Sequence, residues 1–339
     1  MKILYPFVAV LGLIVIATIG SRAGMEPLFG IVFPYLAILI FLGGFINKVV
    51  GWAKSPVPFR IPTTCGQANS LPWIEQACFD NPSTSFGVTV RMFLEVFLFR
   101  SLFRNTQADV YDGPKLRYGS SKYLWLFGLL FHYAFLVIVL RHIRLFADPI
   151  PFFVKILEFF DGFLQIGLPH LYQSDLVIVG AITLLLLRRL LLTNVRYISL
   201  PADYFPLFLI LAIALSGMTM RYLTRADVVN IKQLAVGLAT FKPVIVGDLG
   251  TVFYVHLFLV CTLLVYFPFS KLMHMGGVFM SPTRNLANNS RMVRHINPWN
   301  DPNLKPHSYA SYEDEFREFM VEAGIPVDKE LPAETPAAE

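Results

Sequence analysis

The chain of 339 residues is poor in charge: Asp, Glu, Lys and Arg make up 15% of it, against 55% hydrophobic residues and a mean hydropathy of +0.58. So little charge excludes a water-soluble globular enzyme of this size. Cysteine is also scarce. Cys65, Cys78 and Cys261 are the three present, one thiolate short of an iron–sulfur cluster and too few for a disulfide framework, so any redox cofactor must take other ligands. Short segments of alternating polarity are missing, which excludes an outer-membrane β-barrel. No internal repeat or inverted hydropathy symmetry is found, which argues against a transporter.

What the sequence has in abundance is long apolar runs, at about 3–20, 28–50, 122–146, 175–192, 204–223 and 250–275. Each is long enough to cross roughly 30 Å of hydrocarbon as a helix, and only helices and closed barrels satisfy the backbone there. The expected fold is therefore all-α, a polytopic membrane bundle of about six transmembrane helices. With both termini on the cytoplasmic side of the cytoplasmic membrane, twenty of the twenty-eight Lys and Arg residues fall on that side, as the positive-inside rule requires. The organisation expected is an uncleaved N-terminal anchor helix over 1–27, a membrane domain over 28–280 with a cytoplasmic loop at 51–121, and a polar cytoplasmic tail over 281–339. Within the loop, Val90 to Arg100 mixes Phe and Leu with Arg at helical spacing and reads as an interfacial helix. The last dozen residues read as disordered in the absence of a partner.

Ionisable groups at membrane depth are costly and mark functional positions. His132 and His142 lie ten residues apart on the third run, His256 and His274 eighteen apart on the last. Two b-type haems give the four a shared purpose: each iron takes two axial imidazoles from facing helices while the porphyrin fills the apolar space between. Antiparallel spans would pair His132 with His274 at one end and His142 with His256 at the other. As continuous helices the two spacings rise about 15 Å and about 27 Å, and ten residues leave His132 and His142 about 80° apart around the axis. A kink at Pro268 and helix tilt are expected to absorb the mismatch. The alternative is a proton-coupled transporter using the histidines as a relay. Besides the missing repeats, no buried carboxylate is expected near those histidines.

This arrangement of histidines resembles the dihaem gamma subunit of respiratory nitrate reductase, over the five spans from about 28 to 275. The segments Ser55-Pro56-Val57-Pro58-Phe59-Arg60-Ile61-Pro62-Thr63-Thr64-Cys65-Gly66-Gln67, Asp80-Asn81-Pro82-Ser83-Thr84, Phe267-Pro268-Phe269-Ser270-Lys271-Leu272-Met273-His274-Met275 and Asn297-Pro298-Trp299-Asn300 resemble the DsrM family. Its members are the cytochrome b subunits of the sulfite-reduction-associated membrane complex DsrMKJOP. The resemblance implies two haems b held by His132, His142, His256 and His274, and menaquinol as substrate. It also implies electron exchange with a DsrK-like cytoplasmic iron–sulfur subunit, the further partners DsrJ, DsrO and DsrP, and DsrC indirectly. Lipid is the expected surroundings, and no nucleic acid is expected to bind.

A quinol site is expected near His142, with Arg141, Arg144, Asp161 and Gln165 as neighbours and Asp175 as a further polar group. The two arginines also suit haem propionates, which need cations at a membrane edge. His170, His295 and His307 read as loop or tail residues. Cys65 and Cys78 lack the further ligands of a metal site within this chain, and Cys261 reads as a small core residue. Capping and charge placement suffice for Asn194, Arg196, Asp203 and Pro206.

Overall fold

A computed structural model describes residues 2–55, 66–162, 171–290, 292, 303 and 305–329. The chain divides into two compact units, Met1–Met292 and Val293–Glu339. Among the described residues, five helices of the first unit are long and apolar enough to cross a membrane. They are α1 (Leu4–Arg22), α2 (Leu28–Lys54, opening with one π-turn), α5 (Lys122–Leu145, ending in a 3-10 turn), α9 (Pro201–Thr224, ending in a π-turn) and α11 (Thr251–Phe269, ending in a 3-10 turn). The fourth expected span is present as α7, Gln173–Leu191. It has the length of a span, but Asp175 at one end and Arg188 and Arg189 at the other make it less apolar than the five.

Packing makes two cores. Phe29, Leu209, Leu234, Leu259 and their neighbours join α1, α2, α9 and α11 with the short helix α10 (Val228–Ala239), and Ala134, Ile178, Ile182 and Ile210 join α5, α7 and α9. Thus α5 packs along α7, while α11 packs along α1, α2 and α9; α5 and α11 scarcely touch. Of the five apolar spans, α5 is the least covered by the rest of the chain.

Between the spans lie α3 (Ser85–Leu98), α4 (Arg100–Arg104) and an antiparallel hairpin, β1 (Thr106–Tyr111) with β2 (Lys115–Ser120), within the segment expected as a cytoplasmic loop. Thr84 caps α3 by accepting the Gly87 N–H at 3.2 Å, as a threonine at that position commonly does. The polar face of α3 is the buried one. Arg91 donates to the Thr283 carbonyl at 3.1 Å, and Glu95 pairs with Arg284 at 2.8 Å, while Phe86, Phe93 and Phe97 are exposed. Asn81 and Pro82 are fully buried beneath: Asn288 donates to Asn81 at 2.6 Å, and Asn81 donates to the Gly66 carbonyl at 3.2 Å. Residues 281–290, the start of the expected tail, therefore pack against 80–101 in the same unit.

The far end of α3 reaches the side of α5. Trp125 donates its indole N–H to the Leu98 carbonyl at 2.7 Å, and the Tyr133 hydroxyl donates to the Phe97 carbonyl at 3.0 Å. Tyr133 is eleven residues into α5, about 16 Å of rise, so these helix-end carbonyls are satisfied by side chains where water is scarce. The chain then turns at Phe99, in the left-handed region at φ 50°, and leaves through α4. After α5 come α6 (Phe152–Asp161) and, following α7, α8 (Thr193–Ile198).

The last span departs from a simple kink. Its α-helical part stops at Tyr266, Phe267–Phe269 is a 3-10 turn, Ser270 is extended, Lys271–Met273 is a second 3-10 turn, and a new helix, α12, runs from His274 to Met280. Proline within an α-helix removes a hydrogen bond and clashes with the preceding turn. The break packs closely on α2 because Gly44 has no side chain: a Cβ there would lie 2.7 Å from Pro268. Asp203, which accepts the Leu200 N–H at 3.0 Å at the start of α9, takes Lys271 of the break at 2.7 Å.

In the second unit α13 (Tyr309–Glu322) is capped by Ser308. Glu313 is fully buried there and accepts the Asp328 and Lys329 N–H groups at 2.8 and 2.9 Å. Those donors, with Arg317, hold its carboxyl below the usual range, so its stabilising contribution is present at neutral pH and lost as pH falls through that lowered value.

Candidate functional site

The four histidines come together in two pairs. The rings of His132 and His274 are 5.9 Å apart, centroid to centroid, with planes at 81°; those of His142 and His256 are 6.4 Å apart with planes at 11°. Face contact needs about 3.5–4.0 Å between carbon atoms, so the second pair is too widely spaced to be stacked. Two imidazoles that shared one metal ion through bonds of about 2.0 Å would, with the ring radii added, have centroids up to about 6 Å apart. Both pairs match that spacing.

The ring nitrogens point to the same use. His132 Nδ1 meets the Gly128 carbonyl at 2.7 Å, His142 Nδ1 the Ile138 carbonyl at 2.7 Å, His256 Nδ1 the Ile213 carbonyl at 3.1 Å, and His274 Nδ1 the Lys271 carbonyl at 2.9 Å. A carbonyl only accepts, so each Nδ1 carries a proton and Nε2 is the ring nitrogen left for a ligand bond. Such a second hydrogen bond fixes the tautomer and orientation of metal-binding histidines. His256 has a further neighbour in the Ser216 hydroxyl at 3.0 Å, and Gly217 makes room for its ring, since a Cβ there would lie 3.3 Å from Cε1.

The setting of the pairs is apolar. They bridge α5 and the α11–α12 segment, the two elements that scarcely touch, and His132, His142 and His274 are exposed although they belong to or adjoin apolar spans. Among the described residues no three His, Cys, Asp or Glu side chains gather around one point. Two imidazoles are too few for a closed site for a bare ion, but they are what a haem iron needs from a protein when the macrocycle supplies the rest. The donor set therefore fits haem.

The sequence places His256 and His274 on one span kinked at Pro268; the structure instead ends the α-helix at Tyr266 and starts a new one at His274. The break at 267–273 lies between them, so a rise computed for eighteen helical residues does not apply.

Residues expected around His142 form a buried ion network. Arg141 pairs with Asp175 at 2.6 Å and with Asp161 at 3.2 Å; Asp161 also accepts the N–H and hydroxyl of Ser174, and Tyr222 donates to Asp175 at 2.8 Å. Arg141 and Arg221 cover the Tyr172 ring at 3.8 and 4.1 Å. Arg144 pairs with Glu158 at 2.7 Å. The expectation that no carboxylate is buried near the histidines is thus overturned: Asp161 and Asp175 are buried and pair with Arg141, the residue next to His142. The Tyr172 and Tyr222 partners went unread in the sequence, where nothing but their nearness to the span ends marked them.

Phe99 stands edge-on to the His132 ring at 5.0 Å, a second contact that was not foreseen. Cys78 is exposed and Cys261 buried, the latter as expected of a small core residue. His307 is exposed, 3.1 Å from the Ser311 hydroxyl. Gln165, His170, His295 and Cys65 lie outside the described residues, as do 330–339.

A family model described as nitrate reductase gamma subunit matches residues 91–295. That range contains all four histidines. The chain belongs to the nitrate reductase gamma subunit family. Within its reach are relatives of closer similarity. The chain is 46% identical over 282 residues to a "Hdr-like menaquinol oxidoreductase cytochrome b-like subunit" of Archaeoglobus fulgidus, covering 81% of this chain and 84% of the relative. It is 43% identical over 277 residues to the protein of the same description from Archaeoglobus profundus, covering 80% and 82%. Both α1 and α2 precede the matched residues, so the match spans less than the five helices from about 28 to 275 expected from the sequence.

Proposed function

We propose that this chain is the membrane cytochrome b subunit of a quinol-linked oxidoreductase complex, exchanging electrons between menaquinol and a cytoplasmic iron–sulfur subunit. The observation that carries the reading is the pair of histidine couples at ligand spacing, each ring with its Nδ1 engaged by a carbonyl. His132 with His274, and His142 with His256, would hold two haems b, which when bound supply one-electron chemistry. Two protein ligands per iron leave no open position, which suits electron transfer and not the activation of small molecules.

The residues divide the remaining work. Backbone carbonyls fix the tautomer and orientation of the four imidazoles. Arg141, Asp161 and Asp175 fix the end of α5 that carries His142, and the apolar walls exclude water. Menaquinol would be handled at the His142/His256 end, its protons leaving on that side, with both chain termini on the opposite, cytoplasmic side. There the 66–120 region and residues 281–290 would form the docking surface. The relatives' description names an Hdr-like menaquinol oxidoreductase, and the sequence segments given above resemble DsrM. The finer proposal is therefore a DsrK-like partner within a DsrMKJOP-type complex of sulfur metabolism, with DsrJ, DsrO and DsrP beside it and DsrC acted on through DsrK.

A reduced-minus-oxidised spectrum of the purified chain, with a haemochrome assay, tests this. Low-spin b-type bands, about two haems per chain and reduction by a menaquinol analogue are expected. A well-folded sample without haem would instead favour the proton relay.

A further inference from the structure

A groove of about 500 Å³ runs between α1, α9 and α11, within the range of small-molecule sites. It is amphiphilic along its length. Phe7, Val10, Phe208 and Leu259 line one end; Ser216, Thr18, Thr219 and Arg22 line the other, which is the His256 end. From Phe7 to Arg22 the α1 wall rises about 22 Å.

The polar end has a definite hydrogen-bonding character. Ser216 donates to the Ile213 carbonyl at 3.0 Å and accepts from His256 Nδ1 at 3.0 Å, which leaves one lone pair. Thr18 donates to the Ile14 carbonyl at 2.7 Å and Thr219 to the Leu215 carbonyl at 2.9 Å. With their protons committed to the helices, all three hydroxyls present acceptors to the groove. Arg22 is the one charged residue among those lining it.

We propose that this groove is the quinol-binding site, an inference that rests on the quinol-linked reading above. The isoprenoid tail lies along the Phe7–Leu259 stretch, and the ring sits at the Ser216 end with a hydroxyl donating to Ser216, beside His256. A quinol carries O–H donors that match these acceptors; a quinone carries only acceptors. The groove therefore selects the reduced form and releases the oxidised one. A phospholipid headgroup is matched less well, since its phosphate needs donors and the wall offers a single cation at its rim. The site uses α1, which precedes the family match, and none of the residues lining it belongs to the Arg141 network.

The test uses the full-length haem-loaded chain in nanodiscs. Binding is read by fluorescence quenching of heptyl-hydroxyquinoline N-oxide, a quinol analogue, and by photolabelling with an azido-menaquinone. Label on residues 7–22 and 208–219 is expected. Ala212→Trp and, at the exposed edge of the groove, Leu11→Trp should weaken binding at least tenfold without changing the haem spectrum. Ile16→Trp, on the outward face of α1, should have no effect. Ser216→Ala should weaken the menaquinol analogue several-fold more than menaquinone. Unchanged affinity in both tryptophan variants, with label on the Arg141–Asp175 segment, would overturn the site and leave the quinol-linked function standing. Exclusive labelling of the groove by co-purified phospholipid would also overturn it. Absence of any quinone binding would overturn both the site and the function.

Discussion

At the His142/His256 end, both rings hang from regular α-helix, and the surroundings are a closed set of charges: Arg141 between two buried aspartates, with Tyr222 and Tyr172 completing the shell. At the His132/His274 end the helix itself is broken. His274 opens a new seven-residue helix after two 3-10 turns, tied down by Lys271 on Asp203, and His132 is braced by Phe99 from an elbow that enters beside α5. One end is thus held by a buried ion network that α6 helps to close, the other by a helix break, one ion pair and an aromatic contact. Under the proposed function the difference would follow from where each end communicates: the His142/His256 end with a lipid-soluble donor, the His132/His274 end with a partner reached through chain elements at the surface.

The sharpest way to break the comparison is to remove one ligand at a time. His142→Ala should abolish one haem and leave the other, halving haem per chain in a haemochrome assay and ending reduction by menaquinol; His274→Ala should remove the other haem and leave menaquinol able to reduce the one that remains. Retention of both haems in either variant would sink the pairing. Next in size is Arg141→Ala. Removing one partner of a buried ion pair typically costs about 3–5 kcal/mol, because the remaining charge stays uncompensated. Two aspartates are left here, so thermal unfolding in detergent should shift strongly downward, with haem lost first from the His142/His256 end. If melting is unchanged, the network does not brace that end.

The parts of this design that were readable in the sequence are those governed by single strong terms. Hydrocarbon crossing demands long apolar runs, so the spans could be placed to within a few residues, and antiparallel order alone brought His132 beside His274 and His142 beside His256. What resisted reading depended on partners distant in sequence. Arg91 and Glu95 looked like the solvated side of an interfacial helix, but they are buried because Thr283 and Arg284 arrive to pair with them. Asp161 and Asp175 read as polar neighbours of a quinol site, and only the fold brings Arg141 between them. The 106–120 hairpin carries Asp112-Gly113 at its turn, a hairpin signal, which was passed over because its strands are too polar to stand out beside the spans.

The smallest expected effect concerns Phe99, and it separates the two ways in which that residue acts. A bulky residue at φ 50° occupies a conformation that glycine adopts far more readily, at a backbone cost on the order of 1–3 kcal/mol. Phe99→Gly should therefore relieve strain and leave the global melting temperature level or slightly higher. It also removes one edge-on ring from His132, leaving the Gly128 carbonyl and the Phe131 ring beside the imidazole. The reduction midpoint and the reduced α-band of the His132/His274 haem should then shift or broaden, while those of the His142/His256 haem stay fixed. Phe99→Leu keeps the bulk and the backbone cost and should give the smaller spectral change with the lower stability. Spectra of both haems unmoved in Phe99→Gly would mean that the elbow only fills space. A shift confined to one haem would make Phe99 a positioning residue for His132, and the Tyr133 and Trp125 hydrogen bonds that anchor the elbow would share that role.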